Sequence, residues 1–129
     1  MANYTQHYQL HQWEPNDNFL RTDFNGDFEK IDTALGGKIE CVTGTYGGDG
    51  RDNRFLDLGR TPSAVILCDN NSIMVDSSYT YGGIALDGFP ATGLTITEGG
   101  FTVRQNGNIN CNYTGPYGST TYYYIAFFI

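Results

Sequence analysis

Short apolar runs that alternate with polar residues recur at intervals of roughly 8 to 12 residues from Lys38 to the C-terminus, with turn-forming residues between them. This spacing favours antiparallel strands, because a parallel sheet would need a crossover of about a dozen residues between successive strands. The 17 glycines, the 10 tyrosines and the low charged fraction of 16% are also typical of turns and half-buried sheet surfaces. We therefore predict a mainly β protein, with an antiparallel β-sandwich over residues 38–129.

Two of the predicted strands have no polar face. The run SAVILC at residues 63–68 is nearly all apolar, which suits a central strand. The run at residues 120–129 is apolar on both faces, so it belongs in the middle of a sheet or between protomers. Gly99-Gly100 predicts a hairpin. In chain order, the predicted strands are KIECVTGTY, RFLDL, SAVILC, SIMV, GGIALDG, LTITE, FTVRQ and TTYYYIAFFI.

A short helix is predicted ahead of the β region, at residues 22–36. Thr22 is placed to cap its first turn, and Gly36-Gly37 supplies a left-handed stop. The apolar residues of this helix are spaced four, three and four apart, so they form one seam along its side. The seam residues, which we predict to form an oligomer interface, are Phe24, Phe28, Ile31 and Leu35.

Two arrangements would cover this seam. A helix this short is unstable alone in water, because its nucleation is costly. The helix either lies on its own β domain or joins identical chains in a short parallel bundle. Two heptads are too few for a free coiled coil, so in the second arrangement the β domains would associate as well.

The region before the β domain divides by composition. Residues 1–13 read as an extended arm and residues 14–21 as a proline-containing link. The sequence therefore predicts an N-terminal arm with one short α-helix at residues 1–37 and a β-sandwich knob at residues 38–129.

Charge and cysteine usage exclude several classes of protein. A net charge of −7 repels phosphate backbones, so nucleic acid is not an expected partner. The sequence shows neither a secretory signal pattern nor an apolar run of about 18 residues, so we expect a soluble protein made in a cytoplasm, without membrane insertion. We predict that Cys41, Cys68 and Cys111 are packed thiols.

No catalytic or metal-binding pattern emerges. His7 and His11 lack the glutamate of the zincin motif, although copies of one histidine would meet on a threefold axis. No serine lies in a nucleophile elbow, and spacing alone brings no two carboxylates together for glycoside cleavage. We therefore predict a protein that is not an enzyme and uses no cofactor or metal.

Tyrosines in loops rich in glycine, asparagine and serine suggest a binding surface. A flat ring can stack on a sugar while neighbouring amides and hydroxyls bond its hydroxyl groups, and recognition loops have this composition. The alternative is that these rings pack within the sandwich or between chains. The candidate ligand-binding residues are Tyr79, Tyr81, Asn112, Tyr113 and Tyr117.

Two stretches resemble proteins of phage tails. The first 38 residues are similar to the start of small tail proteins from phages and prophages of Gram-positive gut bacteria, in which an extended arm leads to a helix. The stretches LDLGRTPSAVILCD, YGGIALDG, LTITEGGFTVRQN and TYYYIAFF resemble the knob domains of tail fibres, which are β-sandwiches similar in shape to H-type lectins. The first match runs through Tyr4, Thr5, Tyr8, Leu10, Asp23, Asn25, Phe28, Lys30, Ile31, Asp32 and Leu35.

This resemblance implies a homotrimeric tail fibre or baseplate protein, made in the host cytoplasm and located in the virion tail. Its partners would be other tail or baseplate proteins and a glycan of the bacterial surface. The alternative is a free-standing bacterial lectin-like module that binds carbohydrate as a monomer, and a third reading is a small polysaccharide depolymerase.

Overall fold

The computed structural model describes residues 3–129, and the chain divides into two compact units, Met1–Lys38 and Ile39–Ile129. This division falls one residue after the predicted one. Within the described residues the protein is mainly β, with several antiparallel sheets and a single helix, as predicted. No helix in the described range is long and apolar enough to cross a membrane.

The first unit contains two short strands and the helix: β1 (Asn3–Tyr4), β2 (His11–Gln12) and α1 (Arg21–Gly36). The second unit contains the remaining strands of the described chain: β3 (Glu40–Gly47), β4 (Asn53–Asp57), β5 (Ala64–Asp69), β6 (Val75–Asp76), β7 (Tyr79–Thr80), β8 (Gly83–Leu86), β9 (Leu94–Thr97), β10 (Gly100–Asn106), β11 (Ile109–Asn110), β12 (Thr114–Gly115), β13 (Gly118–Ser119) and β14 (Thr121–Phe128).

Four strands form the first sheet of this unit. Its strand order is β3-β14-β5-β8, with every pair antiparallel. Both β5 and β14 are interior strands, as their apolar sequences predict. In β14 the side chains of Tyr122, Ala126 and Phe128 are buried, whereas Tyr123 on the opposite face is exposed.

The second sheet has the order β4-β10-β11-β7-β6, and β9 also pairs with β10. One of its pairs is parallel, where β11 lies beside β7 with Ile109 opposite Thr80. The buried side chains of both sheets join in one hydrophobic cluster. Its largest fully buried apolar members are Tyr122, Phe101, Leu67, Leu94, Val65 and Val103.

Several local predictions need correction. The hairpin between β9 and β10 turns at Gly99, whose φ of 86° is left-handed, while Gly100 already belongs to β10. Of the predicted strand SIMV, only Val75 is in a strand, because the Asp69 carboxylate accepts bonds from the amide of Ile73 and extends the preceding turn. Cys41 is exposed rather than packed, whereas Cys68 is half-buried and Cys111 is buried.

The helix ends at Gly36 as predicted and begins one residue earlier, at Arg21, but both predicted caps are wrong. The cap position is Leu20 rather than Thr22, and no side chain bonds to the free amides there. At the other end, Gly37 is right-handed, with φ −88°, and its amide donates to the carbonyl of Thr33. The helix therefore ends through a backbone bond without the left-handed residue that glycine pairs often supply.

The predicted extended arm folds back on itself. Residues 1–2 lie outside the described residues, and from Asn3 the chain forms an antiparallel ribbon in which Tyr4 pairs with His11. The amide of Thr5 donates to the carbonyl of Leu10 at 2.8 Å, which closes the ribbon. The arm is thus a hairpin, whose strands were too short to show a pattern in the sequence.

This ribbon covers a polar stripe of the helix. Asp27 is only 8% exposed. Its two carboxylate oxygens accept bonds from the backbone amide and from Nδ1 of His11, both at 2.9 Å. Lys30 Nζ donates to the carbonyl of Gln9 at 2.8 Å. Burial makes ionisation of Asp27 costlier, but the bonds from His11 outweigh this and hold the pKa of Asp27 below its ordinary value of 3.8.

Acidification is therefore expected to loosen the ribbon from the helix. Because the folded-state pKa of Asp27 is depressed, its contribution to stability is present above pH 3.8 and is lost as the pH falls through the lower folded value. Trp13 reports this change, since it is the only tryptophan and its ring stacks on His11 at 5.3 Å between ring centroids. The measurement is Trp13 fluorescence between about pH 6 and pH 2. An Asp27→Asn variant with the same acid transition would contradict this assignment.

Candidate functional site

Three of the four candidate tyrosines meet around one cavity in the β unit. Its volume is ≈ 360 Å³, within the size range of small-ligand sites. The residues that line it are Tyr79, Tyr81, Asn110, Tyr113 and Thr120. Residues separated by more than 30 positions in sequence thus form one concave aromatic surface, as a binding site for a flat ligand requires.

Two of the rings come from β7 and the residue that follows it. Tyr79 and Tyr81 are two residues apart, and their ring centroids lie 6.5 Å apart with an angle of 30° between planes. Asp76 pairs directly with Tyr79 across the β6-β7 ribbon. Directly opposed residues in an antiparallel pair carry their side chains on the same face. An acidic side chain therefore accompanies the aromatic wall.

The other wall is the segment that follows β10. Asn110 lies in β11 and Tyr113 just beyond it, and the parallel pairing of β11 with β7 brings this segment beside Tyr79 and Tyr81. The amide group of Gln105 donates to Asn110 Oδ1 at 2.8 Å, which fixes the Asn110 side chain.

Two buried tyrosines hold the backbone of this wall. The Tyr122 hydroxyl accepts from the amide of Tyr113 at 3.0 Å and donates to the carbonyl of Asn110. The Tyr46 hydroxyl donates to the carbonyl of Cys111 at 2.6 Å, and the rings of Tyr46 and Tyr122 stack at 5.1 Å. Burial raises the pKa of Tyr122 to about 12 and also raises the pKa of Tyr46, so both hydroxyls stay protonated and can donate.

Asn112 has a different role from the one predicted. Its side chain is fully buried, so it does not line the cavity. Its Oδ1 accepts from the amide of Asp49 at 3.1 Å and from Arg54 at 3.2 Å, and its Nδ2 donates to Asp49 Oδ1. Asn112 therefore ties the loop after β3 to the wall of the cavity and supports this wall from beneath.

Tyr117 lies apart from the other candidates. It is fully exposed at the turn between β12 and β13 and is not among the residues that line the cavity. Conversely, the sequence prediction missed Asn110 and Thr120. No local pattern marks either residue, because their place in the site depends on the pairing of β11 with β7 and on the path of the chain into β14.

The predicted interface residues lie on the surface of the first unit. Phe24 is 38% exposed, Phe28 64%, Ile31 37% and Leu35 67%. Phe24 is partly covered by Trp13, with ring centroids 4.8 Å apart, while the rest of the seam remains open. Asp27 lies on the helix beside this seam, so the ribbon buries Asp27 and leaves most of the seam open.

Within residues 3–129, neither histidine belongs to a group of side chains that could hold a metal ion. His11 is held by Asp27, and its Nε2 lies 3.6 Å from Asp23. Over residues 3–129, no group of three or more His, Cys, Asp or Glu side chains is arranged to hold a metal ion.

Comparison of this chain with protein-family models, with curated proteins and with solved structures finds no match. Its function is therefore inferred from the geometry of the helical seam and of the aromatic cavity.

Proposed function

We propose that this chain is a structural, non-enzymatic protein of a phage tail fibre or baseplate. It assembles as a homotrimer through the seam of α1, and its β unit is a sandwich knob that binds a glycan of the bacterial surface. Other tail or baseplate proteins would hold the N-terminal unit in the virion.

The observation that carries this proposal is the open apolar seam. Phe28 and Leu35 are each about two-thirds exposed, at 64% and 67%, on a helix whose one buried residue is the polar Asp27. Large apolar side chains in a contiguous row mark a protein-protein contact when they stay on the surface of a folded chain. The four-three-four spacing of this row fits parallel copies of the same helix, because each copy offers an identical seam.

A second apolar surface supports association of the β units. The outward positions of β14 and β5 carry no charged side chain, and Tyr123 on this face is 47% exposed. On the neighbouring strand β8, Ile84 and Leu86 are 60% and 49% exposed. Two heptads of helix need such additional contact to hold three chains together.

The sandwich arrangement is supported by the single core. Side chains of the four-stranded sheet, such as Leu67, and of the second sheet, such as Phe101, belong to one buried cluster. Packing of two sheets on a common core is the defining feature of a β-sandwich.

Glycan binding is supported by the cavity of Tyr79, Tyr81 and Tyr113. Their rings provide flat apolar faces, and Asn110 and Thr120 provide polar groups for hydroxyl recognition. Three such cavities in a trimer would act together, so a weak single site is enough for firm attachment through avidity.

The test is binding to purified cell-wall polysaccharide of Gram-positive gut bacteria, together with the mass in solution. We expect a mass three times the 14.3 kDa of the chain by light scattering. We expect Tyr113→Ala to weaken polysaccharide binding at least about tenfold, because each lost aromatic contact is multiplied over three sites.

Tyr117→Ala is the matched control, since Tyr117 is an exposed tyrosine outside the cavity. Equal loss of binding in both variants would contradict the assignment of the cavity. A monomer that binds polysaccharide would instead favour the free-standing lectin-like module, and release of reducing ends would favour a depolymerase.

A further inference from the structure

The charged side chains around the aromatic cavity are acidic rather than basic. None of the five residues that line it is a lysine, an arginine or a histidine. Asp76 lies beside Tyr79 across the β6-β7 ribbon. Desolvation, and after it the nearby carboxylates of Asp76 and Asp69, raise the pKa of Tyr81 above its ordinary value. Two carboxylates thus act on the electrostatic potential at the tyrosine wall.

Aromatic rings next to carboxylates favour positively charged ligands over negatively charged ones. The face of an aromatic ring carries partial negative charge, so it attracts a cation and repels an anion. Three tyrosine rings around one cavity, with a carboxylate beside them, form the arrangement that binds ammonium groups in proteins. A phosphate or carboxylate on the ligand would find no positive partner among the lining residues.

We propose that this cavity recognises a positively charged amino group on its glycan, so that the preferred ligand is an amino sugar with a free ammonium group. This inference rests on the proposed glycan binding and adds the charge of the ligand. The rings of Tyr79, Tyr81 and Tyr113 contact the ammonium group and the adjacent C–H face of the sugar, and Asp76 adds long-range attraction.

The experiment compares D-glucosamine with N-acetyl-D-glucosamine, which have the same ring but differ in charge. Both are titrated into the full chain at about pH 6, where the free amine is protonated, and amide shifts around the cavity are followed by NMR. We expect glucosamine to bind at least about threefold more tightly, the difference expected of a cation over partly exposed rings. Choline is a third probe, which separates a general ammonium site from one that also needs the sugar ring.

Different outcomes of this titration would contradict different parts of the proposal. Equal or tighter binding of N-acetyl-D-glucosamine would overturn the charge inference and leave the proposed glycan binding intact. Absence of any shift at the cavity with all three probes would overturn both. Stronger binding of choline than of glucosamine would keep the ammonium group as the recognised feature but would overturn the choice of an amino sugar.

Asp76→Asn tests the part played by the carboxylate. We expect the preference for glucosamine to fall about twofold or more, while the affinity for N-acetyl-D-glucosamine stays unchanged. Asp87→Asn makes the same change of charge at an exposed position in the connection between β8 and β9 and is expected to alter neither. An unchanged preference in Asp76→Asn would remove the carboxylate from the proposal. The comparison of the two sugars with the unmodified chain does not depend on the folding of either variant.

Discussion

Replacement of Phe28 and Ile31 together by aspartate is expected to convert the proposed trimer into monomers. Both residues lie on the seam of α1, and Phe28 is 64% exposed in the single chain. Full burial of a large apolar side chain contributes about 1.5 to 3 kcal/mol. Since Phe28 and Ile31 are 64% and 37% exposed before association, the loss of both from three copies removes about 4.5 to 9 kcal/mol. The aspartates would also place like charges around the axis, where their desolvation is unfavourable. Light scattering at micromolar concentration measures the mass, and circular dichroism checks that the β unit stays folded.

The control is Thr22→Asp with Thr33→Asp, which adds the same charge on the opposite side of the same helix. At 100° per residue, these two positions face away from Phe28 and Ile31. This variant is expected to remain trimeric. Intact trimers after the seam change, or equal dissociation of both variants, would refute the seam as the interface.

Gly82→Ala is expected to destabilise the β unit strongly. A Cβ built at Gly82 would lie 2.0 Å from the carbonyl oxygen of Leu67 and 2.6 Å from its carbonyl carbon. Leu67 is fully buried in the interior strand β5, so neither backbone can move without disturbing the core. Overpacking of this kind costs about 3 kcal/mol, which corresponds to a fall in the melting temperature of about 12 to 24 °C for a unit of this size. Thermal denaturation followed by circular dichroism measures it.

Gly47→Ala is the matched control in the same unit. Its added Cβ would meet only the side chain of Ser119, with Oγ at 3.1 Å and Cβ at 3.9 Å, and the serine hydroxyl can rotate away. We expect a change in unfolding free energy within about 0.5 kcal/mol. Similar melting temperatures of the two variants would show that the close approach of Gly82 to Leu67 does not constrain the fold. Since Gly82 follows Tyr81 directly, the destabilised variant is also expected to lose ligand binding.

The strands were predictable where their sequence alone decided their surroundings. The apolar runs of β5 and β14 required cover on both sides, and both are interior strands of their sheet. The sequence did not predict short strands such as β6, β7 and β11, because two residues carry no periodic signal. Their pairing depends on contacts between distant parts of the chain.

In the N-terminal unit, the helical pattern of the sequence did not predict which polar residue is buried. On the pattern alone Asp27 belongs to the solvated side of the helix, yet it is buried by His11 from a ribbon sixteen residues earlier. The apolar seam was predictable from spacing, and its openness in the single chain was not. Its cover by sister chains stays a prediction.

The candidate site was predicted in part for a similar reason. Composition identified Tyr79, Tyr81 and Tyr113, which share the cavity. Composition does not separate a side chain that faces the ligand from one that supports the backbone, so Asn112 was grouped with them although it is buried. Only the register of the strands makes that distinction.

The hydroxyls of Tyr46 and Tyr122 have an evolutionary consequence. They hold the main chain from Asn110 to Tyr113 through carbonyl and amide groups, which every residue type possesses. The outward side chains on this segment can therefore be exchanged without loss of its anchorage in the core. In the proposed receptor-binding role, such a unit would follow changes in its receptor by substitution at a few exposed positions, while the scaffold beneath them stays the same.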